Sequence, residues 1–269
     1  MNIDEIGFYK MGDCVLREPP ARDECLTVVS RDVDMHEFGD FSEVARREAL
    51  HRHMTNEMTS VDMAAACVAE FPDAPWELRM ELARQAWDEA RHVRALHRRV
   101  KEMGGFKGEF PVSTLEWDIT CAVDNLVGRI TIQNRTLEAG AMDVIGGLSQ
   151  NFRKIGDDAS ADMLDGINVD EIQHVRFANR WIKQLAKGDP RTLMKMAAAI
   201  RFLTDANSKF QIKEGGEVNA VGVQLAGPES RIPAVNVDLR QAAEFSEDEI
   251  HEILRQAGFR SLVPKEARA

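Results

Sequence analysis

The chain has 269 residues and a formal net charge of −11, with 44% hydrophobic and 29% charged residues. This length allows one large domain or two small ones, and the composition excludes disorder over the whole chain. Four cysteines are present, and none forms the C-x-x-C spacing of a zinc knuckle or a rubredoxin-type iron site. The acidic balance argues against nucleic acid or an anionic membrane as a ligand. Because the sequence shows neither a leader-like start nor a run of 18 apolar residues, we expect a cytoplasmic protein without a membrane span.

The sequence predicts three parts. Residues 1–41 lack a sustained period and are expected to form an N-terminal arm, with one short strand at 25–30. Residues 42–208 keep a helical period and are expected to form one helical bundle. Residues 209–269 begin rich in Gly, Val and Asn, which indicates an extended C-terminal arm. The S-E-D-E peptide near its end fits a capping box, so a short helix is expected to close this arm.

Proline and glycine stop signals divide the central part into helices. The four long helices are predicted at 42–70, 76–103, 115–152 and 157–187, and a fifth helix at 190–208. A break near Gly128, early in the third helix, is left open. Helices of about 28 residues are roughly 40 Å long. Since short turns join the first to the second and the third to the fourth, the expected fold is all-α, an antiparallel four-helix bundle with extra helices.

Two Glu-x-x-His peptides lie on predicted helices, Asp-Glu-Ala-Arg-His on the second and Asp-Glu-Ile-Gln-His on the fourth. Residues three apart share one face of a helix, so Glu89 and His92 can reach one metal ion, and so can Glu171 and His174. A single pair of this kind is more often a solvated ion pair. The interpretation as a metal site therefore depends on the duplication and on what accompanies it.

The duplication includes two further glutamates. Glu57 precedes Glu89 by 32 residues, and Glu138 precedes Glu171 by 33. Two glutamates and two Glu-x-x-His pairs are the ligand set of di-iron or di-manganese carboxylate bundles, and four carboxylates neutralise two divalent ions. The alternative is a set of buried ion pairs, which would bury four carboxylates without a cation. The predicted metal ligands are Glu57, Glu89, His92, Glu138, Glu171 and His174.

Four aspartates close to the predicted metal ligands are expected to contact other side chains rather than the metal. Asp88 and Asp170 directly precede the Glu-x-x-His glutamates and are expected to accept the imidazole N–H of the histidine on the opposite helix. Arg91 is expected to pair with one of these acids. Asp62 and Asp143 each follow a predicted ligand by five residues. That spacing places them about 140° around the helix, which favours hydrogen bonding or ion pairing over ligation.

Further polar and aromatic residues lie near the two motifs, and the sequence predicts a role or a location for each. His53 and Asn134 each lie one turn before a predicted ligand and share its face, so they are candidates to line a substrate pocket. His53 is also a candidate for an extra ligand, and polar core packing is the alternative for both. His51 is expected at the surface. Trp87 and Trp181 are expected in the core rather than in an electron-transfer path.

The duplicated pattern resembles the ferritin-like di-iron carboxylate superfamily, and Asp-Glu-x-Arg-His matches a motif of its oxygenases and reductase small subunits. Within that superfamily the chain is similar to an uncharacterised bacterial branch, the domain of unknown function 455. Gln173 stands where the oxygenase motif has arginine, which leaves the hydrogen bonding on that side open. The similar segments are FPDAPWELR (71–79), WDEARH (87–92), LEAGAMDV (137–144), GDDASADMLDGINVDEIQHVRF (156–177) and PAVNVDLRQAA (233–243).

The resemblance implies that the six ligands hold two iron ions, with manganese or a mixed pair as alternatives. The family branch brings a fold but no established activity, and the leading hypothesis is an O₂-activating di-iron oxidoreductase. It would be a monooxygenase or oxidase that acts on a small organic substrate by N-oxygenation or C–H hydroxylation. Such an enzyme needs O₂ and an electron donor, and a homodimer is allowed. Three alternatives stay open: an iron-handling ferroxidase or peroxide scavenger, a di-iron tRNA-modifying hydroxylase, and a protein whose metal only holds the helices together. The net charge of −11 argues against the tRNA substrate.

Overall fold

The computed structural model is predominantly helical, which confirms the predicted all-α class. It describes residues 7–29, 38, 40–210 and 235–256. The chain divides into two compact units. The first comprises Met1–Gln133 and Leu185–Val218, and the second comprises Asn134–Gln184 and Asn219–Ala269. Among the described residues, no helix combines the length and the apolar character needed to cross a membrane.

The first unit begins with a β-hairpin that the sequence pattern did not indicate. Strand β1 (Phe8–Met11) pairs antiparallel with β2 (Cys14–Arg17). Gly12 has φ 59°, a left-handed conformation that favours glycine and suits a two-residue hairpin turn. The strand expected at 25–30 is shorter than predicted. It consists of β3 (Val28–Val29), which pairs in parallel with β4 (Val112–Ser113).

Two long helices follow in the same unit, α1 (Glu43–Glu70) and α2 (Trp76–Glu102), and they confirm the first two predicted helices within one residue. Ser42 caps α1, since its hydroxyl accepts the N–H of Ala45 at 3.4 Å. Five residues, including Pro72 and Pro75, separate the helices. The short turn makes α1 and α2 antiparallel, and they pack against each other extensively.

The third predicted helix, 115–152, is wrong as a single element. The structure has α3 (Leu115–Thr120), α4 (Leu126–Ile130), a π-helical segment π1 (Thr131–Glu138) and α5 (Ala139–Lys154). The side chain of Asn125 starts α4 by accepting the N–H of Gly128 at 2.8 Å. Arg129 then fastens the preceding turn, because its Nε donates to the carbonyl oxygen of Val123 at 2.8 Å. The break near Gly128 that the sequence left open is therefore present.

The remaining long helices are α6 (Asp158–Gly188) and α7 (Arg191–Phe210), close to the predicted bounds. Helix α7 packs against α4 in the first unit. In the second unit α5 and α6 are antiparallel neighbours. Ser149 on α5 donates to Asp165 on α6 at 2.5 Å, and Asn168 on α6 donates to the carbonyl oxygen of Met142 on α5 at 3.4 Å.

The described end of the chain forms two short helices, α8 (Val237–Ala242) and α9 (Glu247–Gln256). The capping box is confirmed: the N–H of Ser246 donates to Glu249 at 2.8 Å, and the Ser246 hydroxyl accepts the N–H of Glu249 at 3.3 Å. The remaining residues of the predicted arm, 211–234 and 257–269, lie outside the described residues. Apolar residues of α9 and of the segments on either side of α8 pack with residues of α5 and α6 in one core. This core comprises Ala139, Met142, Val175, Val235, Ala243, Phe245, Ile250 and Leu254.

Candidate metal centre

Three of the predicted ligands meet between α1 and α2 in the first unit. Glu57, Glu89 and His92 each offer a ligand atom, and these atoms lie within 4.8 Å of one another. All three side chains are buried, with at most 3% of each residue exposed. His92 Nδ1 lies 3.0 Å from Glu89 Oε2 and 3.5 Å from Glu57 Oε2. A buried imidazole therefore faces two buried carboxylates that come from two helices.

The position of the turn explains why these residues meet. Glu57 lies 14 residues before the turn that starts at Phe71, and Glu89 lies 14 residues after that turn ends at Pro75. In an antiparallel pair, two residues at the same distance from the connecting turn lie level along the helix axis. His92 follows Glu89 by almost one turn and so shares its face of α2. The spacing along the chain therefore determines where along the axes of α1 and α2 the three residues meet.

The second unit carries the other copy of the motif. His174 Nδ1 lies 3.0 Å from Oε2 of Glu171 on the same helix, the same atoms and separation as in the first copy. Glu171 is 0% exposed and His174 is 2% exposed. Glu138 is 5% exposed and is the last residue of π1. Since π-helical turns occur often at functional sites, the end of π1 at Glu138 is consistent with a ligand at this position.

The residues of the first copy fit a divalent metal ion. Two ligands at right angles and about 2.1 Å from an ion lie about 3 Å apart. The 3.0 Å separation of His92 Nδ1 from Glu89 Oε2 matches that value, and the 3.5 Å separation from Glu57 Oε2 fits the wider angle of a tetrahedral site. Burying two carboxylates is costly without a cation, and an ion removes that cost. Iron, manganese and zinc all accept carboxylate and imidazole ligands.

The two predicted carboxylate ligands of the first unit, Glu57 and Glu89, each have a partner for the other oxygen as well. Gln85 Nε2 donates to Glu89 Oε1 at 3.0 Å, and His53 Nε2 lies 3.0 Å from Glu57 Oε1. Both partners lie one turn before the glutamate they contact. They leave Oε2 of each glutamate directed toward His92. Gln85 was not singled out from the sequence, although its four-residue spacing from Glu89 would have been enough to find it.

The acids of the first unit that neighbour the motif form ion pairs. Asp88 is buried, accepts a hydrogen bond from Arg91, and lies 3.4 Å from Nε of Arg84. The pairing expected for Arg91 is therefore present. Asp62 binds Arg22, with the two charged groups 2.6 Å apart. An ion pair rather than ligation was the expectation for Asp62, and its contact with Arg22 agrees with it.

The corresponding acids of the second unit, Asp143 and Asp170, differ in burial. Asp143 is buried and accepts two hydrogen bonds, from Arg240 at 2.6 Å and from the backbone N–H of Asn236 at 2.7 Å. It thus resembles Asp62 in binding an arginine. Asp170 is half-buried on α6. The role expected for Asp88 and Asp170, accepting an imidazole N–H from the opposite helix, stays a prediction.

Two arginines of the second unit flank Glu138: Arg135, which is half-buried, and Arg240, which is buried. Arg135 lies three residues before it and binds Glu249 of α9 at 2.5 Å, with its guanidinium 4.6 Å from the ring centre of Phe245. Burial lowers the pKa of Arg135, and the charge of Glu249 opposes that shift. Arg240 of α8 donates to the carbonyl oxygen of Ala139, the residue after Glu138, at 3.1 Å. The C-terminal helices thereby hold the chain on both sides of Glu138.

The predicted burial of the other candidate residues is confirmed for some of them and wrong for others. Asn134, the candidate pocket residue, is 0% exposed. Trp181 is buried as expected, but Trp87 is 62% exposed, so its prediction as a core residue is wrong. His51 is also wrong as a surface residue. It is fully buried because the loop after α2 covers it, and its Nε2 accepts the N–H of Gly108 at 2.9 Å.

The fold and the cluster define a helical protein with buried carboxylate and imidazole groups suited to a divalent metal ion. The chain belongs to the family described as "Protein of unknown function (DUF455)", whose model matches residues 9–251. It is 27% identical over 170 residues to an "Uncharacterized protein" of Haemophilus influenzae. That match covers 60% of this chain and 58% of the relative, so the chain spans less than two thirds of the relative's length. No solved structure matches the chain.

Proposed function

We propose that the two copies of the motif form one dinuclear metal centre in a ferritin-like bundle of α1, α2, α5 and α6. We further propose that the protein is an O₂-activating di-iron monooxygenase or oxidase that acts on a small organic substrate. The observation that carries this proposal is the repeated contact of histidine Nδ1 with glutamate Oε2. The two atoms are 3.0 Å apart in His92–Glu89 and in His174–Glu171.

The charge of the six residues supports two ions rather than one. Four carboxylates carry −4, which balances two divalent ions, whereas one ion would leave two negative charges buried. The four glutamates are each at most 5% exposed, so water offers them little compensation. The spacing supports a shared centre, because both copies place a glutamate 32 or 33 residues before the Glu-x-x-His glutamate. The carboxylate and imidazole ligands are those that iron and manganese accept.

Two bound iron ions would supply the binding and reduction of O₂. The chain's own groups would orient the ligands and exclude water. Gln85 and His53 contact Oε1 of Glu89 and of Glu57, which holds each carboxylate with its other oxygen toward His92. Burial of the ligands keeps bulk water from the centre. His53 and Asn134 remain the candidates to line the substrate pocket.

The first experiment is elemental analysis of protein expressed with both iron and manganese available. We expect about two metal ions per chain, and Glu57→Ala and Glu171→Ala should each lose at least one. Glu48→Gln is the matched control, because Glu48 is also a buried glutamate of α1 but pairs with Arg52. Folded wild-type protein without metal would contradict the proposal, and so would a Glu171→Ala variant with unchanged metal content.

The second experiment tests the reaction. Iron-loaded, reduced protein should consume O₂ in a single turnover, and Glu171→Ala should not. Oxidation of added Fe²⁺ well beyond two ions per chain would instead support the ferroxidase alternative. An absence of any O₂ reaction in metal-loaded protein would leave the metal a structural role and contradict the oxidoreductase.

A further inference from the structure

The outer face of α2 carries a stripe of exposed apolar residues. Trp76, Met80 and Trp87 are 64%, 51% and 62% exposed, and Ala83 between them is exposed too. At 100° per residue these four side chains lie within about 60° of one another, and the stripe is about 150° away from Glu89. Tryptophan is highly buried on average in globular proteins, so two exposed tryptophans in one stripe indicate a binding surface.

The spacing of the stripe is the same when it is followed from either end. Steps of four, three and four residues separate Trp76, Met80, Ala83 and Trp87. When two copies of α2 pack antiparallel, Trp76 of one copy lies opposite Trp87 of the other, and Met80 lies opposite Ala83. Steps of three and four produce the seam by which paired helices interlock, and a small residue opposite a large one allows close packing.

The charges beside the stripe fit the same arrangement. Glu77, Arg84 and Arg91 lie along one flank within about 40° of one another. In the antiparallel pair, Glu77 of one copy lies within about 3 Å, along the axis, of Arg84 of the other. The exposed Asp73 in the turn before α2 lies at the level of the other copy's Arg91. In a parallel two-fold pair this flank would instead lie on opposite sides of the seam in the two copies, so Glu77 of one copy would not face Arg84 of the other.

We propose that this face of α2 is the interface of a homodimer, with its two-fold axis passing between residues 81 and 82. The side chains of Arg84 and Arg91 are 71% and 45% exposed. Both also contact Asp88, and a guanidinium has five N–H donors, so each arginine can bind an acid of the second copy as well. The stripe spans 11 residues, about 17 Å. A stable interface buries roughly 800 Å² per partner, so this narrow surface is expected to give a dimer of micromolar affinity.

The test is sedimentation equilibrium of the full chain from about 1 to 100 μM. We expect a reversible dimer, and we expect Trp87→Glu to weaken it by about thirtyfold or more, as for the loss of an anchoring interface tryptophan. Met194→Glu is the matched control, because Met194 is an apolar residue of α7 that is 72% exposed. It should leave the dimer intact. Circular dichroism of each variant identifies any that fail to fold.

A charge exchange tests the arrangement itself. Glu77→Arg and Arg84→Glu should each weaken the dimer, because each puts like charges opposite each other, and the double variant should restore it. A wild-type chain that remains monomeric throughout the concentration range would overturn the proposal. A double variant as weak as the single ones would overturn the antiparallel packing. Dissociation by Met194→Glu but not by Trp87→Glu would place the interface elsewhere.

Discussion

Arg240 on α8 and Asp143 on α5 form a buried ion pair, with Nη2 of the arginine 2.6 Å from Oδ2 of the aspartate. The same Nη2 donates to the carbonyl oxygen of Ala139, next to the predicted ligand Glu138. Helix α8 thus fixes the backbone that carries a predicted ligand about 100 residues earlier in the chain. The pair therefore connects the stability of the second unit to the position of this predicted ligand.

We expect Arg240→Ala to lower the free energy of unfolding by about 3–5 kcal/mol, because it leaves Asp143 buried without its cation. It should also lower metal content at a fixed metal concentration, since the backbone beside Glu138 loses its hydrogen bond. Urea unfolding and elemental analysis measure the two effects. Arg153→Ala is the control, because that exposed arginine pairs with Asp162 and Asp165. A variant with unchanged metal content would show that Arg240 stabilises the fold without positioning Glu138.

In the first unit, the hydrogen bond from Gln85 to Glu89 is expected to raise metal affinity. Its amide is 0% exposed and holds Glu89 Oε1, so Gln85→Leu removes a hydrogen bond from a predicted ligand while keeping a side chain of similar size. Loss of such a partner lowers metal affinity by about 10–100-fold. Titration of the metal-free protein with Fe²⁺ or Mn²⁺ measures the change. The exposed Gln184 of α6 supplies the control, and equal affinities for Gln85→Leu and Gln184→Leu would contradict the role of Gln85.

Local signals predicted the ends of the long helices. The turn with Pro72 and Pro75 ends α1, and α2 begins directly after it. The sequence predicts one helix over 115–152, with a break near Gly128 left open, because its helical period continues through the turn at 121–125. There the side chain of Asn125 starts a new helix by capping Gly128. The hairpin of β1 and β2 was missed because four-residue strands carry little periodicity, although a Gly-Asp turn joins them.

At the candidate site, the sequence predicted contacts within one helix but not contacts between residues far apart in the chain. Spacing along single helices was enough to predict that Glu89 and His92 would share a buried face. It could not reveal Arg240, whose partner Asp143 is 97 residues away in the sequence. Nor could it show that the loop with Gly108 covers His51. These contacts depend on which segments pack together, and a helical pattern on one segment carries no information about the other.

Metal removal should destabilise the protein. With the ions removed, the buried carboxylates of Glu57 and Glu89 face one another without a compensating cation, and repulsion or protonation follows. We expect a chelator to lower Tm by several degrees, because a metal that binds only the folded state stabilises it. Differential scanning calorimetry with and without chelator measures the shift. Equal Tm values for metal-loaded and chelated protein would show that the buried acids do not depend on a metal, while Glu57→Ala should remove most of the difference.

Glu70 binds both Arg17 and Arg129 at 2.7 Å, and this pairing should make the stability of the fold sensitive to acid. Burial alone would raise the pKa of Glu70, but the two arginines outweigh that effect and lower the pKa below its usual 4.5. A pKa lowered by folding adds stability above the unfolded-state pKa, and this stability is lost as the pH falls through the folded-state pKa. Tm of the wild type should therefore decrease more steeply than Tm of Glu70→Gln below about pH 4.5. Parallel curves of Tm against pH between 7 and 3 would show that Glu70 does not supply this acid sensitivity.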